Sequence, residues 1–287
     1  MEVYFEDKRL GRWDSGRKIF FLVDRTKYLE EYLNNDLIEL KLSTAVKIRN
    51  NDEFLVEDKK LEKEKVIVAT GVTWRLKERD MVANTIQYIM EGVKIDEVHT
   101  MKFLFYQGLV GYAWIFPLSE NSVKVGIGGI NVSVDELENK LNSIIKKYKL
   151  EGKVVKREGA PIDMGGLKPE WGGGPPYAIG EAIGAVMPLT GEGIRPSIIT
   201  AHALATALTK NNNYKKILSG LGIYKASKLQ RKILERVLKQ GAELPFKDKE
   251  LSPKTIEAIY KLGMGELGLR DLLSLASKLP SLLRGII

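Results

Sequence analysis

Alternating hydrophobic and polar positions along the first two thirds of the chain predict a succession of β-strands. The stretches with this pattern lie at residues 17–24, 37–42, 45–50, 53–61, 66–71, 87–93, 97–107, 112–117, 122–129 and 177–180. The turn at 50–52 predicts a hairpin between two of these strands. The strand at 66–71 is almost wholly apolar before its glycine, which is typical of a buried strand in a parallel sheet.

A spacing of three to four residues between apolar positions predicts helices elsewhere. Helices are expected over 26–34 and 193–208, and over most of the chain beyond Asn213. Ser133 and Glu136 have the spacing of a capping box, so another helix is expected to begin after Ser133. The glycine- and proline-rich stretch 159–176 is predicted to be a loop. Strands and helices together predict a mixed fold, of the α/β or α+β kind.

Composition narrows the chemistry. The chain has 287 residues, 44% hydrophobic and 29% charged, and it contains no cysteine, which excludes disulfides, thiolate metal sites and cysteine nucleophiles. His99 and His202 lie far apart without a partner at ligand spacing, so no histidine metal cluster is predicted. The sequence contains neither a G-x-S-x-G elbow nor a P-loop. If the chain is an enzyme, a bound organic cofactor is expected to carry the chemistry.

Charge and hydropathy indicate where the protein acts. The formal net charge is +8, but the basic residues are dispersed among acidic ones, so a solvated surface is expected and no nucleic-acid partner. The absence of cysteine and the heavy use of Lys, Glu and Ile are typical of proteins from thermophiles. We find no signal-like segment and no apolar run that would span a bilayer, which predicts a cytoplasmic protein with at most peripheral membrane contact.

The glycine run from Gly126 to Gly129 follows a predicted strand and invites comparison with a dinucleotide-binding turn. A G-x-G-x-x-G fingerprint counted from Gly126 requires a third glycine at position 131, which is Asn131. The helix would also have to begin inside the run, whereas the capping box delays it until after Ser133. The glycines are therefore expected to leave room in a sheet for a ligand or a neighbouring strand.

Tyr112, Trp114 and Phe116 occupy alternate positions of one predicted strand, which places their rings on one face. Pro117 either ends this strand or places it at an edge. Three rings on one face are ordinary core or the wall of an apolar pocket, and spacing alone does not choose between these.

The pattern Y-x-W-x-F-P at 112–117, followed after eight residues by G-x-G, resembles the substrate-pocket signature of the geranylgeranyl reductase family. Members of that family are flavoproteins with a p-hydroxybenzoate-hydroxylase-like fold. The resemblance implies a cavity for an isoprenoid chain beside the flavin, lined by Tyr112, Trp114, Phe116, Pro117, Gly126 and Gly128.

A second motif, YAIGEAIGAVMPLTGEGIRPSI at 177–198, is similar to the other hallmark of that family. Gly191 and Gly193 allow backbone amides to approach a planar or anionic group, and the following helix aims its positive end at the same place. A glycine-rich helix entry with only a packing role is the alternative. The resemblance implies FAD as the cofactor, with its flavin contacted by Gly180, Glu181, Pro188, Gly191, Gly193 and Ile194.

Two shorter stretches also resemble the family. Residues 21–33 are similar to a segment whose arginine lies near the flavin, so Arg25 is a candidate cofactor contact, with a surface ion pair as the alternative. Residues 66–71 are similar to the strand that ends beside the adenosine half of the cofactor.

The chain departs from the family in its cofactor-binding elements. Relatives open with a strand, a G-x-G-x-x-G turn and a helix for the ADP half of FAD, and this sequence shows no such unit. Glu181 replaces an aspartate, and its extra methylene is expected to disturb a direct hydrogen bond to the ribityl chain. Three explanations stay open: a split reductase whose second chain supplies the missing unit, a truncated gene, or loss of the flavin.

We therefore expect a flavin-dependent oxidoreductase that reduces carbon–carbon double bonds of an isoprenoid chain, in membrane lipid synthesis. By resemblance, hydride comes from N5 of the reduced flavin, and no residue is assigned as proton donor. The alternative is a flavin-free isoprenoid- or lipid-binding protein, or a non-catalytic subunit. The expected partners are a prenyl-lipid substrate and a second chain. The expected domains are a residual FAD-binding segment (1–80), an antiparallel-sheet substrate domain (81–165), an FAD-binding segment with the central helix (166–212) and a helical region (213–287).

Overall fold

The computed structural model describes residues 1–6, 8–49, 53–241 and 249–278. Its strands are β1 (Glu2–Phe5), β2 (Lys8–Arg12), β3 (Val46–Arg49), β4 (Glu53–Val56), β5 (Lys59–Lys60), β6 (Ile67–Val68), β7 (Val82–Glu91), β8 (Lys102–Phe105), β9 (Gly111–Ser119), β10 (Ser122–Ile130), β11 (Lys153–Asp163) and β12 (Tyr177–Ala178). Its α-helices are α1 (Arg25–Leu33), α2 (Val134–Lys147), α3 (Ile194–Thr209), α4 (Tyr214–Gly220), α5 (Gly222–Lys239), α6 (Pro253–Met264) and α7 (Leu269–Lys278).

Seven strands form the main sheet, in the order β11-β7-β10-β9-β8-β1-β2. The strands between residues 81 and 165 pair only antiparallel, as predicted for that stretch, whereas β1 runs parallel to β8, so the complete sheet is mixed. A large sheet with additional helices confirms the predicted mixed fold class.

Helix α2 closes one face of this sheet. The Ser133 hydroxyl accepts from the Glu136 N–H at 3.2 Å, and the Glu136 carboxylate accepts from the Ser133 N–H at 2.9 Å, which confirms the predicted capping box. The apolar stripe of the helix is buried on the sheet, as amphipathic spacing requires. The core beneath it includes Leu137, Leu141, Ile144, Val123, Val125 and Ile127.

On the opposite face, Leu234 of α5 packs against Ala83 and Ile130 at one end of β7 and β10, and helices also cover β1 and β2. There α5 and α6 contribute Ile233, Ile256 and Leu262 to a core that also contains Leu10. Farther along this face, alternate residues of β7 and β9 are only partly buried, whereas Gly126 and Gly128 of β10 are buried. The accessible part of the sheet is therefore the face that α2 does not occupy.

Two smaller sheets complete the fold. β6 and β12 pair in parallel, with the Tyr177 N–H donating to the carbonyl of Val66 and the Ile179 N–H to that of Val68, both at 3.0 Å. The predicted parallel strand at 66–71 is thus present but only two residues long. β3, β4 and β5 form an antiparallel sheet, and the turn predicted at 50–52 lies outside the described residues.

Several predicted elements differ from the structure. Residues 17–24 and 37–42 form no strand, because no described strand lies beside them to accept and donate the ladder hydrogen bonds. The predicted loop at 159–176 begins too early, since pairing with β7 carries β11 through Gly159 to Asp163. The predicted strand 97–107 shortens to β8, and the hairpin of β1 and β2 was not predicted. The predicted helix beyond residue 278 lies outside the described part of the chain.

Candidate functional site

The segment 187–193, which we call the glycine loop, turns tightly before α3. The N–H groups of Thr190 and Gly191 donate to the carbonyl of Met187 at 3.1 and 2.9 Å, and the Met187 N–H donates to the carbonyl of Glu192 at 2.8 Å. Gly191 has a φ of +67°, which a residue with a side chain adopts only under strain. Backbone geometry therefore requires glycine at this position.

The glycine loop leaves backbone accessible where α3 begins. Gly193 is the N-cap residue of this 16-residue helix and has no capping side chain, but the carboxylate of Glu192 accepts from the Arg195 N–H of the first turn at 2.9 Å. A Cβ at Gly191 would meet only Ile162 and Met164, each at 3.9 Å, so a flat group has room to approach. Since the helix dipole places partial positive charge here, the loop fits the polar edge of a flavin ring.

Three other predicted cofactor residues, Gly180, Pro188 and Ile194, lie in or near the glycine loop and α3. The Gly180 N–H donates to the Thr200 hydroxyl at 3.0 Å, and a Cβ at Gly180 would lie 3.0 Å from the Ser197 hydroxyl. Pro188 is buried, whereas Ile194 is half exposed on the first turn of α3. The structure therefore brings these residues together around one turn, with Ile194 nearest to solvent.

Three rows of residues cross the face of the main sheet that α2 leaves free, which we call the open face. The first row is Tyr112, Gly128, Thr85 and Ala160; the second is Trp114, Gly126, Gln87 and Glu158; the third is Phe116, Lys124, Ile89 and Lys156. The three predicted rings share this face and are partly exposed, whereas the alternate residues Ala113 and Ile115 are buried. The rings therefore form a wall and not the sheet's core.

Glycines in β10 make room for the aromatic wall. A Cβ at Gly126 would lie 2.5 Å from Cε2 of Trp114 and 2.7 Å from Cβ of Gln87, so the indole lies across the glycine. A Cβ at Gly128 would lie 2.8 Å from the methyl group of Thr85. Missing side chains in β10 thus allow the neighbouring side chains to close over the sheet.

The aromatic wall is tied directly to the glycine loop. The Tyr112 hydroxyl donates to the carbonyl of Thr190 at 2.5 Å, and burial raises the pKa of this tyrosine, so it remains protonated. Phe103 widens the wall, with its ring centroid 5.7 Å from that of Tyr112 and 5.3 Å from that of Phe116. Phe103 was not among the predicted site residues, although it lies within the predicted strand 97–107.

Pro117 lies within β9, which continues to Ser119. β8 pairs with β9 only as far as Ile115, so the proline faces no ladder on that side. Of the two predicted alternatives, the edge position is the one observed.

A buried ion pair joins the sheet to the strand end that carries Glu181. The Arg79 guanidinium, fully buried, pairs with Asp163 at the end of β11 and donates to the carbonyls of Glu181 and Ala182 at 3.1 and 3.0 Å. It also donates to the carbonyl of Trp74 at 2.9 Å. Sequence reasoning missed this pair because Asp163 fell within a predicted loop, and nothing local connects it to Arg79.

The Glu181 carboxylate points to protein backbone. It accepts from the N–H of Asp163 at 2.9 Å, and a Cβ at Gly71 would lie 3.2 Å from its other oxygen. Burial raises its pKa, and backbone hydrogen bonds from Asp163 and Val72 oppose this only in part. This glutamate therefore ties the segment after β12 to the end of β11 and to the turn at Gly71 and Val72, which is a structural task.

Arg25 lies in the first turn of α1, a helix without a buried residue. Among the described residues, no hydrogen bond or ion pair connects Arg25 to the glycine loop. The structure therefore does not bring it to the other candidate residues, and its cofactor contact stays a prediction.

The described residues fit the flavin ring of FAD better than its ADP half. The glycine loop and the N-terminus of α3 suit the ring, as described above. Within the described residues, no strand, glycine turn and helix form a unit of the dinucleotide-binding kind. The parallel sheet instead ends at β6, where Ile67 is 49% exposed.

Two further searches of the described residues were negative. No group of three or more His, Asp or Glu side chains is arranged to hold a metal ion. No described helix has the length and apolarity that a membrane crossing requires.

Residues 81–166 match the family described as geranylgeranyl reductase catalytic domain. The chain is 26% identical over 224 residues to digeranylgeranylglycerophospholipid reductase of Methanococcus vannielii, a match that covers 72% of this chain and 55% of the relative. The chain thus spans little more than half the length of that curated relative.

Solved structures share the fold. A geranylgeranyl bacteriochlorophyll reductase-like protein from Thermoplasma acidophilum superposes with a TM-score of 0.61 at 19% identity, over 85% of this chain and 68% of the other. A flavoprotein/dehydrogenase from Cytophaga hutchinsonii superposes with a TM-score of 0.64 at 14% identity, over 99% of this chain and 81% of the other. The chain therefore shares its fold with these two proteins.

Proposed function

Because residues 81–166 match the geranylgeranyl reductase catalytic domain family, we propose that this chain acts in the flavin-dependent reduction of carbon–carbon double bonds of an isoprenoid chain. The observation that carries the proposal is the hydrogen bond from Tyr112 to Thr190, which joins the open face to the glycine loop. The Methanococcus relative is named for a digeranylgeranyl phospholipid, so we extend the proposal to a membrane-lipid substrate.

The residues have separate tasks in this proposal. Gly191, Gly193 and Ile194 hold the flavin ring through backbone groups and the positive end of α3. When bound, the reduced flavin supplies the hydride equivalent that saturates the double bond. Trp114 and Phe116 hold the isoprenoid chain by apolar contact and exclude water from it.

We propose that a second chain supplies the unit that holds the dinucleotide end of FAD. Parallel sheets are normally covered and have more than two strands, so the exposed edge at Ile67 suits an additional parallel strand. Residues 21–48, which come before β6 in the chain, expose large apolar side chains, among them Phe21 at 77% and Leu37 at 93%. An apolar surface of this extent is typical of a protein interface.

Comparing two flavins tests the proposal. FMN and FAD share the ring but only FAD has the adenylate half, so the chain alone is expected to bind both with similar affinity. Gly191→Val is expected to abolish both, because a branched side chain at positive φ strains the loop. Gly174→Ala is the matched control, since a Cβ there meets no atom within 4 Å. Preference for FAD should appear only when the second chain is co-purified.

The Glu181 geometry favours one competing function, a flavin-free isoprenoid-binding protein. Its carboxylate already accepts a backbone hydrogen bond and does not face the glycine loop's free side. Binding of geranylgeraniol without binding of either flavin, alone or with the second chain, would establish this alternative and exclude the reductase.

A further inference from the structure

The open face ends in two lysines that the proposed reaction does not use. The third row places Lys124 on β10 and Lys156 on β11, one on either side of Ile89. Because two strand spacings separate them, their Cα atoms lie about 10 Å apart. Two long side chains at this separation can reach a single anionic group between them.

These lysines lie at the end of the open face that is farthest from the glycine loop. The loop contacts the sheet near Ile162 and bonds to Tyr112 in the first row. Ile130, level with Ile162 across β7, follows Lys124 on β10 by six residues, which corresponds to about 20 Å of strand. A ligand that follows the face from the loop therefore ends at the lysines.

The surface between the two ends is apolar on one side and polar on the other. Trp114 and Phe116 form the apolar side, on β9. On the polar side, the Gln87 amide donates to the Glu158 carboxylate at 2.6 Å. An amphiphilic ligand fits such a face better than a hydrocarbon does.

Glu158 holds one of the lysines in place. Its carboxylate lies 2.7 Å from the Lys156 ammonium group, and hydrogen bonds from Lys156 and Gln87 lower its pKa. Lys124 acts on the same carboxylate only at longer range. Glu91 and Lys153 lie opposite each other in the next row of this face, so two carboxylates face three ammonium groups there, which leaves the end of the face basic.

We propose that Lys124 and Lys156 bind the phosphate group of a prenyl lipid whose chain lies along the open face toward the glycine loop. This inference rests on the proposed function and adds the residues that would hold the substrate's phosphate head group. A phosphate satisfies both ammonium groups at once, because it offers several acceptor oxygens.

Equilibrium binding of geranylgeranyl diphosphate, geranylgeraniol and inorganic phosphate tests the inference. Lys124→Gln and Lys156→Gln are each expected to weaken diphosphate binding by about tenfold, the equivalent of one charged hydrogen bond, with no change for the alcohol. Glu158→Gln should strengthen diphosphate binding, because it removes the competing carboxylate. Lys94→Gln, at an exposed lysine in the segment between β7 and β8, is the control.

The outcomes separate the inference from the function on which it rests. Loss of the proposed function would appear as failure of the wild-type chain to bind the neutral alcohol. Wild-type affinity of the double lysine variant for the diphosphate would overturn the phosphate site while leaving the function intact. Inorganic phosphate that binds as tightly as the prenyl diphosphate would indicate a free-phosphate site and would also overturn the lipid assignment.

Discussion

Adding one methyl group at Gly126 should separate Trp114 from the sheet. The new Cβ would lie 2.5 Å from Cε2 of the indole and 2.7 Å from Cβ of Gln87, where carbon contacts normally need about 3.5 to 4 Å. The indole must therefore move by about 1 Å or more. Overpacking of this kind costs about 1–3 kcal/mol of unfolding free energy.

A double-mutant cycle measures whether the clash with Trp114 causes the loss of stability in Gly126→Ala. Urea unfolding would compare Gly126→Ala in the wild-type chain with the same change in Trp114→Ala, where most of the clash is gone. We expect the cost to fall by at least about half in the second background, and prenyl-ligand affinity to fall in the first. An equal cost in both backgrounds would refute the packing of Trp114 across Gly126.

Three other changes probe the described contacts. Arg79→Met should cost about 3–5 kcal/mol in urea unfolding, because Asp163 would keep a buried charge without its partner, and Asp163→Asn combined with it should recover part of that loss. Tyr112→Phe should lower the free energy of unfolding by about 1 kcal/mol, because it removes the hydrogen bond to Thr190. Because the pKa of Tyr112 is higher in the folded chain than in the unfolded chain, this tyrosine contributes to a loss of stability as the pH rises above about 10. The variant should therefore lose less stability than the wild type over that pH range. Glu181→Gln should raise the free energy of unfolding at pH 7 but not near pH 4. The reason is that a carboxyl group whose pKa is higher in the folded than in the unfolded chain favours folding only at low pH, where it is protonated. Equal effects at both pH values would contradict this.

Local sequence patterns were sufficient to predict much of the candidate site. The capping box at Ser133 and the ring-bearing strand β9 are governed by contacts within a few residues, and both form as predicted. The resemblance to the geranylgeranyl reductase family, read from the 112–128 signature, is confirmed by the family match over 81–166. The glycine loop likewise forms its turn where the 177–198 motif places it.

Contacts between distant residues could not be predicted in this way. Arg79 and Asp163 are 84 positions apart, and only the fold brings them into contact. The strand at 159–163 was missed because pairing with β7 outweighs the local preference of glycine and proline for loops. The apolar run at 17–24 shows the converse case, since β-propensity without a neighbouring strand gives no strand.

The role of Glu181 also depends on tertiary contacts. Its replacement of aspartate was visible in the sequence and was interpreted as a loss for the cofactor. In the structure, the Glu181 side chain also has a stabilising role, because its carboxylate accepts a hydrogen bond from the N–H of Asp163 at the end of β11. The predicted domain boundaries and the contacts of Arg25 with a flavin stay predictions.

A crystal structure of the chain with FMN and geranylgeraniol tests the central claim most directly. The account predicts the flavin ring against the backbone of Gly191, Gly193 and Ile194, with the prenyl chain along Trp114 and Phe116. A ring bound elsewhere, or a glycine loop closed over the first row with the prenyl chain outside the open face, would contradict it.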